Sequence, residues 1–400
     1  MKAMKKTLLA VAMTVAATTG VQAAGISDDV VKIGVLVDMG GVYADICGQG
    51  CVTAVEMAVE DFGGTVLGKP IEIVSADDQN KPDVGSAKVR QWIESEDVDV
   101  VTGLVASSVT GAATKVLTDA KKIALISTSA SNAFTTKACS PYNVHWTYNV
   151  AALANGTVKP MVAAGKKKWF FITADYAFGH ALEGIATKVI EESGGEVVGA
   201  VRAPFGTTDF SSYVLQAQAS GADVVGLANA GGDFVNSLKT AAEFGLTETT
   251  DVAGLLVFTN NALALDPAIA AGMKATSGFY WDMDDQTREW SARFKARHGV
   301  IPSMGQAGQY SMTMHYLNAI KAAGTDESDA VMKKMKETKP DDFFARNATL
   351  RNDGRMVHDM LLVSIKDAAS RASSDDIYNI EAVIPGDVAF NPMLPECDFK

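Results

Sequence analysis

Val98–Leu104, broken only by Asp99 and Thr102, and Ile123–Ile126 lack a regular polar–apolar alternation, the pattern of parallel strands covered on both faces. Each runs into small hydroxyl residues: Ser107, Ser108 and Thr110 after the first, Ser127 to Asn132 after the second. A helical pattern between them reaches Ala120. Hydroxyl residues at a helix start act as N-caps, and one such turn calls for no more than capping. Two successive turns without bulky side chains point further, to a ligand cradle. A helix N-terminus presents free N–H groups and partial positive charge, which suits a small anion such as a carboxylate. In open α/β sheets ligands sit outside the carboxyl ends of the strands.

The alternation of strand and helix runs on in both directions. Val31–Val37 reads as a first strand, followed by a Gly-rich loop from Asp38 to Asp45. Gly50–Phe62 has helical periodicity, with Val52, Val55, Val59 and Phe62 on one stripe. Pro70–Ala76 and Pro82–Glu94 continue as strand and helix, so the first third implies a doubly wound parallel sheet. The polar, aromatic stretch Ser140–Tyr148 breaks the rhythm and reads as a crossover. A second alternation then begins: helix 150–164, strand 169–173 with its exit loop 174–179, helix 181–192, and further strand–helix pairs to a strand at Asp251–Phe258. Thr276–Tyr280 is another short strand and Trp281–Asp285 a second candidate crossing. Three helices follow, at 286–297, 306–323 and 329–338. Asn352-Asp-Gly354 is a hairpin signal, and Met360–Lys366 is a third crossing or return. No tandem repeat or low-complexity linker interrupts the pattern.

Lys2, Lys5 and Lys6, the apolar run Thr7–Ala17 and Val21-Gln-Ala23 have the layout of a signal peptide spanning residues 1–23. The run falls short of the roughly 20 apolar residues a membrane span needs, so an exported, soluble protein is expected. A chain of 400 residues exceeds the usual size of one core, and two domains are expected. The formal charge is −12, and cleavage would remove three lysines and no acids. Nucleic acid is therefore not an expected partner, and Lys166–Lys168 reads as a solvated turn. Cys47, Cys51, Cys139 and Cys397 form an even set, which in an exported chain suggests disulfides. Three pairings are possible; proximity favours Cys47 with Cys51, leaving Cys139 with Cys397. No histidine near the first pair supports zinc, and three intervening residues do not make a thioredoxin-type motif. No metal or cofactor is expected.

There is no G-x-S-x-G elbow, H-E-x-x-H, Walker loop or EF-hand loop. His145, His180, His298, His315 and His358 are scattered and read as surface or packing residues. Asp77 and Asp78 would point to opposite faces of a strand and read as capping or solvated groups. An enzyme is not expected. Aromatic residues instead collect at strand exits and crossings: Tyr43, His145-Trp146, Tyr148, Tyr176, Phe178, Phe258 and Tyr280-Trp281. In such places they line apolar pockets.

Ile33–Gly41, Gly103–Ser108, Ala174–His180, Thr208–Ser212 and Asp353–Met356, in this order and spacing, resemble the periplasmic solute-binding proteins of the leucine/isoleucine/valine-binding (type I) class that serve ABC importers. The resemblance covers essentially the whole chain after residue 23. It implies an α/β fold of two doubly wound parallel-sheet lobes joined by three crossings that close over a ligand, with 24–146 and 281–357 in one lobe and 147–280 and 358–400 in the other. It also implies that Ser107 binds a ligand carboxylate, with Ser108 beside it and Ser129, Ala130 and Ser131 in the second turn. Phe178 would cover the ligand and Tyr43 contact it from the first loop. Asn229, Ala230 and Asp233 lie at a further strand exit, and Trp146, Tyr176, Phe258 and Trp281 complete the candidate set. A small-molecule ligand, an inner-membrane ABC permease, a periplasmic location and a monomeric state follow as expectations. In a subgroup whose relatives include binders of aromatic acids, Cys139 and Cys397 match a recurring pair.

One departure bears on the ligand. Amino-acid binders of this class place an acidic residue after the strand corresponding to Gly254–Phe258, where this chain has Phe258-Thr259-Asn260. A buried ammonium without a carboxylate partner is costly. An aromatic or other non-amino carboxylate is expected, unless Asp233 or Asp282 substitutes. The alternatives are a branched-chain or other amino-acid binder, or a periplasmic sensor subunit of the same fold.

Overall fold

The computed structural model describes residues 25–399; the expected signal peptide lies outside them. The first lobe is built from β1 (Val31–Val37), α1 (Gly48–Phe62), β2 (Thr65–Val66), β3 (Lys69–Asp77), α2 (Pro82–Ser95), β4 (Val100–Gly103), α3 (Ser107–Asp119), β5 (Ile123–Ile126) and β6 (Asn143–His145). These give a six-stranded sheet of order β2-β3-β1-β4-β5-β6, parallel apart from the β2–β3 ribbon. Every residue of β4 and β5 is buried, as their lack of polar–apolar alternation requires of strands packed on both faces.

The second lobe follows with α4 (Val150–Ala163), β7 (Lys168–Ala174), α5 (Ala177–Glu192), β8 (Glu196–Ala203), α6 (Ser211–Ala219), β9 (Val224–Ala228), α7 (Gly231–Glu243), α8 (Leu246–Thr249), β10 (Asp251–Gly254), α9 (Thr259–Leu263), α10 (Pro267–Ala270) and β11 (Lys274–Ser277). Its parallel sheet has the order β10-β9-β7-β8. Two boundaries differ from expectation. Helix α5 begins at Ala177, so Phe178 belongs to its first turn and not to a loop. Gly179 makes this possible: a Cβ there would stand 2.0 Å from the Ala174 carbonyl oxygen. Strand β10 stops at Gly254, and Phe258 is instead the N-cap residue of α9.

The chain then returns to the first lobe with α11 (Asp285–His298), α12 (Met304–Ala323) and α13 (Ser328–Glu337). Helix α12 lies along α1, and α13 along α12. Ser303 and Gln306 form a capping box that starts α12. The hairpin β12 (Thr349–Leu350) and β13 (Met356–Val357) turns at Asn352–Gly354, and β14 (Met360–Ile365), β15 (Tyr378–Ile384) and α14 (Gly386–Ala389) belong to the second lobe. There β14 pairs antiparallel with both β11 and β15. Among the described residues no helix is long and apolar enough to cross a membrane.

Three crossings join the lobes, at 146–149, 278–284 and 355–359, and the first and third are hydrogen-bonded together. Arg355 is fully buried. Its guanidinium donates to the carbonyl oxygens of Trp146 and, at 2.8 Å, Tyr148, and its Nε to that of Met356 at 2.8 Å. His358 Nε2 donates to the intervening Thr147 carbonyl at 2.7 Å. Three successive carbonyls of one crossing are thus held by two side chains of another. Both expected disulfides are present, and the second places the end of the chain differently from the expected lobe boundary of 358–400. From Asn391 onward the chain leaves the second lobe and lies against the first, where Cys397 is bonded to Cys139. The other disulfide joins Cys47 to Cys51 at the start of α1.

Candidate functional site

The carboxyl ends of the strands in both lobes face each other across a small cavity. It is lined by Tyr43, Ile46, Val105, Ser107, Thr128, Ala130 and Tyr148 on one side and by Tyr176, Phe178, Ala230, Leu256 and Phe258 on the other. Among the described residues no charged side chain lines it.

Ser107 arrives there through a tight turn at the end of β4, where Gly103 and Leu104 both have positive φ. The N-cap residue of α3 is Ala106, not a hydroxyl residue as the sequence suggested, and no side chain caps this helix. Ser107 is its first residue. Thr110 turns inward, donating to the Ala106 carbonyl at 3.0 Å. Alanine is among the poorest N-cap residues, so the first N–H groups of α3 are left for another acceptor. Helices α5 and α7 begin the same way, at Tyr176 and Ala230, again without a side-chain cap. Both N-cap residues line the cavity. Three helices of 13, 16 and 13 residues therefore bring uncapped N-termini to one small space, and their partial charges make it favourable to an anion.

Tyr43 is placed by Asp38. This carboxylate accepts from the N–H groups of Gly41 at 2.7 Å and Tyr43 at 2.9 Å, folding the Gly-rich loop over itself. The loop ends at the Cys47–Cys51 bridge. Across the cavity mouth the Tyr43 and Tyr176 hydroxyls are hydrogen-bonded to each other. The Phe205 ring packs against both, with centroids at 5.2 and 4.8 Å. Two more contacts join the lobes here: Gly232 N–H donates to the Val42 carbonyl at 3.2 Å, and Asn260 Nδ2 donates to the Asp45 carbonyl at 2.8 Å. Burial pushes the Tyr43, Tyr148 and Tyr176 hydroxyls above their ordinary range, so all three stay neutral and able to donate.

Of the residues singled out from the sequence, Tyr43, Ser107, Ala130, Tyr176, Phe178 and Phe258 line the cavity. Ser129 stands behind it and donates to Ser107 Oγ at 3.1 Å. Its carbonyl meets His145 Nε2 at 2.6 Å, and burial together with Arg355 holds that imidazole neutral. The remaining six are elsewhere. Ser108 lies on the outer side of the first turn of α3, and Ser131 caps the short turn 132–135. Trp146 is fully buried, donates to Ser311 Oγ at 3.1 Å and packs on His315. Asn229 donates to Ser237 Oγ at 3.0 Å. Asp233 accepts from Gly206 N–H at 3.1 Å, and burial raises its carboxyl to about 6. Trp281 donates to the Asp375 carbonyl at 2.9 Å beside the second crossing. Asp282, the other candidate ammonium partner, is paired with Arg288 at 2.7 Å.

Ile46, Val105 and Leu256 also line the cavity without any mark in the sequence; Thr128 from the Ser127–Asn132 turn, Tyr148 from the crossing aromatics and Ala230 from the strand exit line it too. The chain bends at Ser127 and Thr128 as it leaves β5, which alternates the direction of its side chains. Thr128 and Ala130 line the cavity, whereas Ser127 donates to the Gly103 carbonyl and Ser129 to Ser107.

A family model described as periplasmic binding protein matches residues 30–371. The structure superposes on the crystal structure of a periplasmic binding protein from Burkholderia mallei with a TM-score of 0.90, at 44% identity over 93% of this chain and 98% of the other. A branched chain amino acid ABC transporter periplasmic ligand-binding protein from Burkholderia xenovorans LB400 gives a TM-score of 0.81 at 38% identity, covering 90% of this chain and 97% of that one. Leu/Ile/Val-binding protein homolog 6 of Brucella abortus is 26% identical over 216 residues, 54% of this chain and 55% of the relative. The match thus spans about half the length of that curated relative.

Proposed function

This chain belongs to the periplasmic binding protein family, and on that footing we propose that it captures a small organic carboxylate between its lobes in the periplasm and presents the closed form to an inner-membrane ABC permease. The ligand favoured is aromatic or otherwise lacks an α-amino group. It is a binding protein and not an enzyme.

The observation that carries this reading is the meeting at one uncharged cavity of three helix N-termini without side-chain caps, of which α7 has its Gly232 N–H taken by the Val42 carbonyl. Helix partial charges and the Ser107 hydroxyl supply donors for a carboxylate. The walls beyond are the aromatic rings of Tyr148, Tyr176, Phe178 and Phe258 with Ile46, Val105 and Leu256. Among the described residues no acidic side chain lines the cavity to pair with an ammonium, although Asp233 is near enough to act on the Tyr43 and Tyr176 hydroxyls; leaving an ammonium unpaired there would be costly.

Calorimetric titration with benzoate and with its neutral isostere benzamide tests the requirement for an anion. Binding of benzoate with at least tenfold preference is expected, a factor worth about 1.4 kcal/mol. Equal binding of the two would remove the helix N-termini from the account.

A second reading, capture of a branched-chain amino acid, is supported by the description of the Burkholderia xenovorans relative and by the aliphatic side chains Ile46, Val105 and Leu256. It requires Asp233, which burial brings to about 6, to turn toward the cavity in ionised form. Leucine binding that disappears in Asp233→Asn would establish it.

A further inference from the structure

We propose that the C-terminal tail is a fourth, disulfide-anchored connection between the lobes that limits how far they open. This rests on the reading that the lobes open and close around a ligand.

The tail is pinned at both ends and in the middle. On the second lobe, α14 packs on α4, and Asn155 Nδ2 donates to the Ala389 carbonyl at 2.9 Å. At the hinge, the Phe390 ring lies 4.5 Å from the Arg355 guanidinium and 5.5 Å from the His358 ring. These are the two side chains that hold the first crossing to the third. Asn149 of the first crossing donates to Asn391 Oδ1 at 2.9 Å, and Arg351 donates to the Asn391 carbonyl at 2.7 Å. On the first lobe, Cys397 is buried and bonded to Cys139. Asn352 donates to the Asp398 carboxylate at 2.5 Å, and Lys336 Nζ to the Phe399 carbonyl at 2.8 Å.

The run from Ala389 to Cys397 is short and contains Pro392 and Pro395, whose fixed φ removes slack. Rotation of one lobe away from the other must bend this run or break its anchors. The three crossings alone would leave opening limited only by hinge packing; the disulfide makes one limit covalent. Restricting opening raises the population of near-closed forms and with it the apparent affinity.

Small-angle X-ray scattering on the ligand-free protein tests this with Cys139→Ser/Cys397→Ser and Gly231→Ala. A Cβ at Gly231 would stand 2.4 Å from the Val42 carbonyl of the opposite lobe, which props the lobes apart. Both variants are expected to show a larger radius of gyration than the wild type with an unchanged far-ultraviolet circular dichroism spectrum. If Gly231→Ala expands and the disulfide variant does not, the tail does not limit opening, and the proposal fails while the capture reading stands. If neither expands, the lobes do not separate and both fall. Should the disulfide variant lose its native spectrum, Phe390→Ala, which keeps the bridge but removes the packing on Arg355 and His358, is read in the same way.

Discussion

The Tyr43 hydroxyl meets the Tyr176 hydroxyl across the mouth of the cavity, one tyrosine from the Gly-rich loop of the first lobe and the other from the N-terminus of α5 in the second. Neither residue can make this bond unless the lobes are closed. It is therefore a contact that stabilises one state and not the other, which is what a closing equilibrium needs.

Removing it should favour opening. Tyr43→Phe and Tyr176→Phe are each expected to weaken ligand binding by about 0.5–1.5 kcal/mol, the usual net contribution of one hydrogen bond. Because the two hydroxyls serve one bond, the double variant should cost little more than either single one. A double-mutant cycle read by calorimetry checks this; full additivity would mean that the two hydroxyls act separately.

Ser107 and Ser129 should differ although both were singled out from the sequence. Ser107 lines the cavity, whereas Ser129 reaches it only by donating to Ser107 Oγ. Ser107→Ala is expected to lower affinity by about 0.5–1.5 kcal/mol, and Ser129→Ala by a smaller amount. An equal or reversed ranking in titrations of the two variants would show that Ser129 contacts the ligand.

Asp233 gives a dependence on pH. Burial raises its carboxyl from 3.8 to about 6, so the fold favours the protonated form. Its contribution is present below the ordinary value and is lost as pH rises through about 6. Asp233→Asn keeps an acceptor for the Gly206 N–H and carries no charge. The variant is expected to be more stable than the wild type near neutral pH by on the order of 1–3 kcal/mol, with the gap closing toward about pH 4. Denaturant melts at the two pH values measure it, and a gap that does not change with pH would mean that Asp233 titrates normally.

Arg355 should be the most sensitive hinge position. It is buried with its donors committed to the carbonyl groups of Trp146, Tyr148 and Met356. Arg355→Met removes the charge but leaves those carbonyls without a donor, each at about 1–3 kcal/mol. A drop in melting temperature of several degrees is expected in thermal unfolding; a variant as stable as the wild type would mean that water replaces the guanidinium.

Much of the scaffold was legible because local pattern and tertiary burial agree. β1 occupies Val31–Val37 as its apolar run suggests, and α2 starts at Pro82 where proline favours a first turn. The start of α5 was not legible, because Tyr176 is no N-cap residue by type and the turn depends on Gly179 meeting Ala174. Ile46, Val105 and Leu256 escaped because an apolar residue facing a cavity has the same sequence pattern as one facing the core. Trp146 and Trp281 misled for the converse reason: aromatic residues at a crossing also fill the hinge, and only the partners Ser311 and Asp375 reveal it. The return of the tail was legible only through the pairing of Cys139 with Cys397, residues 258 apart in the chain; no strand or helix pattern carries it.

A thermal-shift comparison of benzoate and related aromatic acids with leucine and valine decides which kind of carboxylate the cavity takes. A ligand at 100 times its dissociation constant adds about 2.7 kcal/mol to stability, which is readily seen. Stabilisation by the aromatic acids and none by leucine or valine is the predicted result, since the cavity offers helix N-termini to a carboxylate and, among the described residues, no acidic lining side chain to an ammonium. Stabilisation by leucine or valine and none by the acids would contradict it.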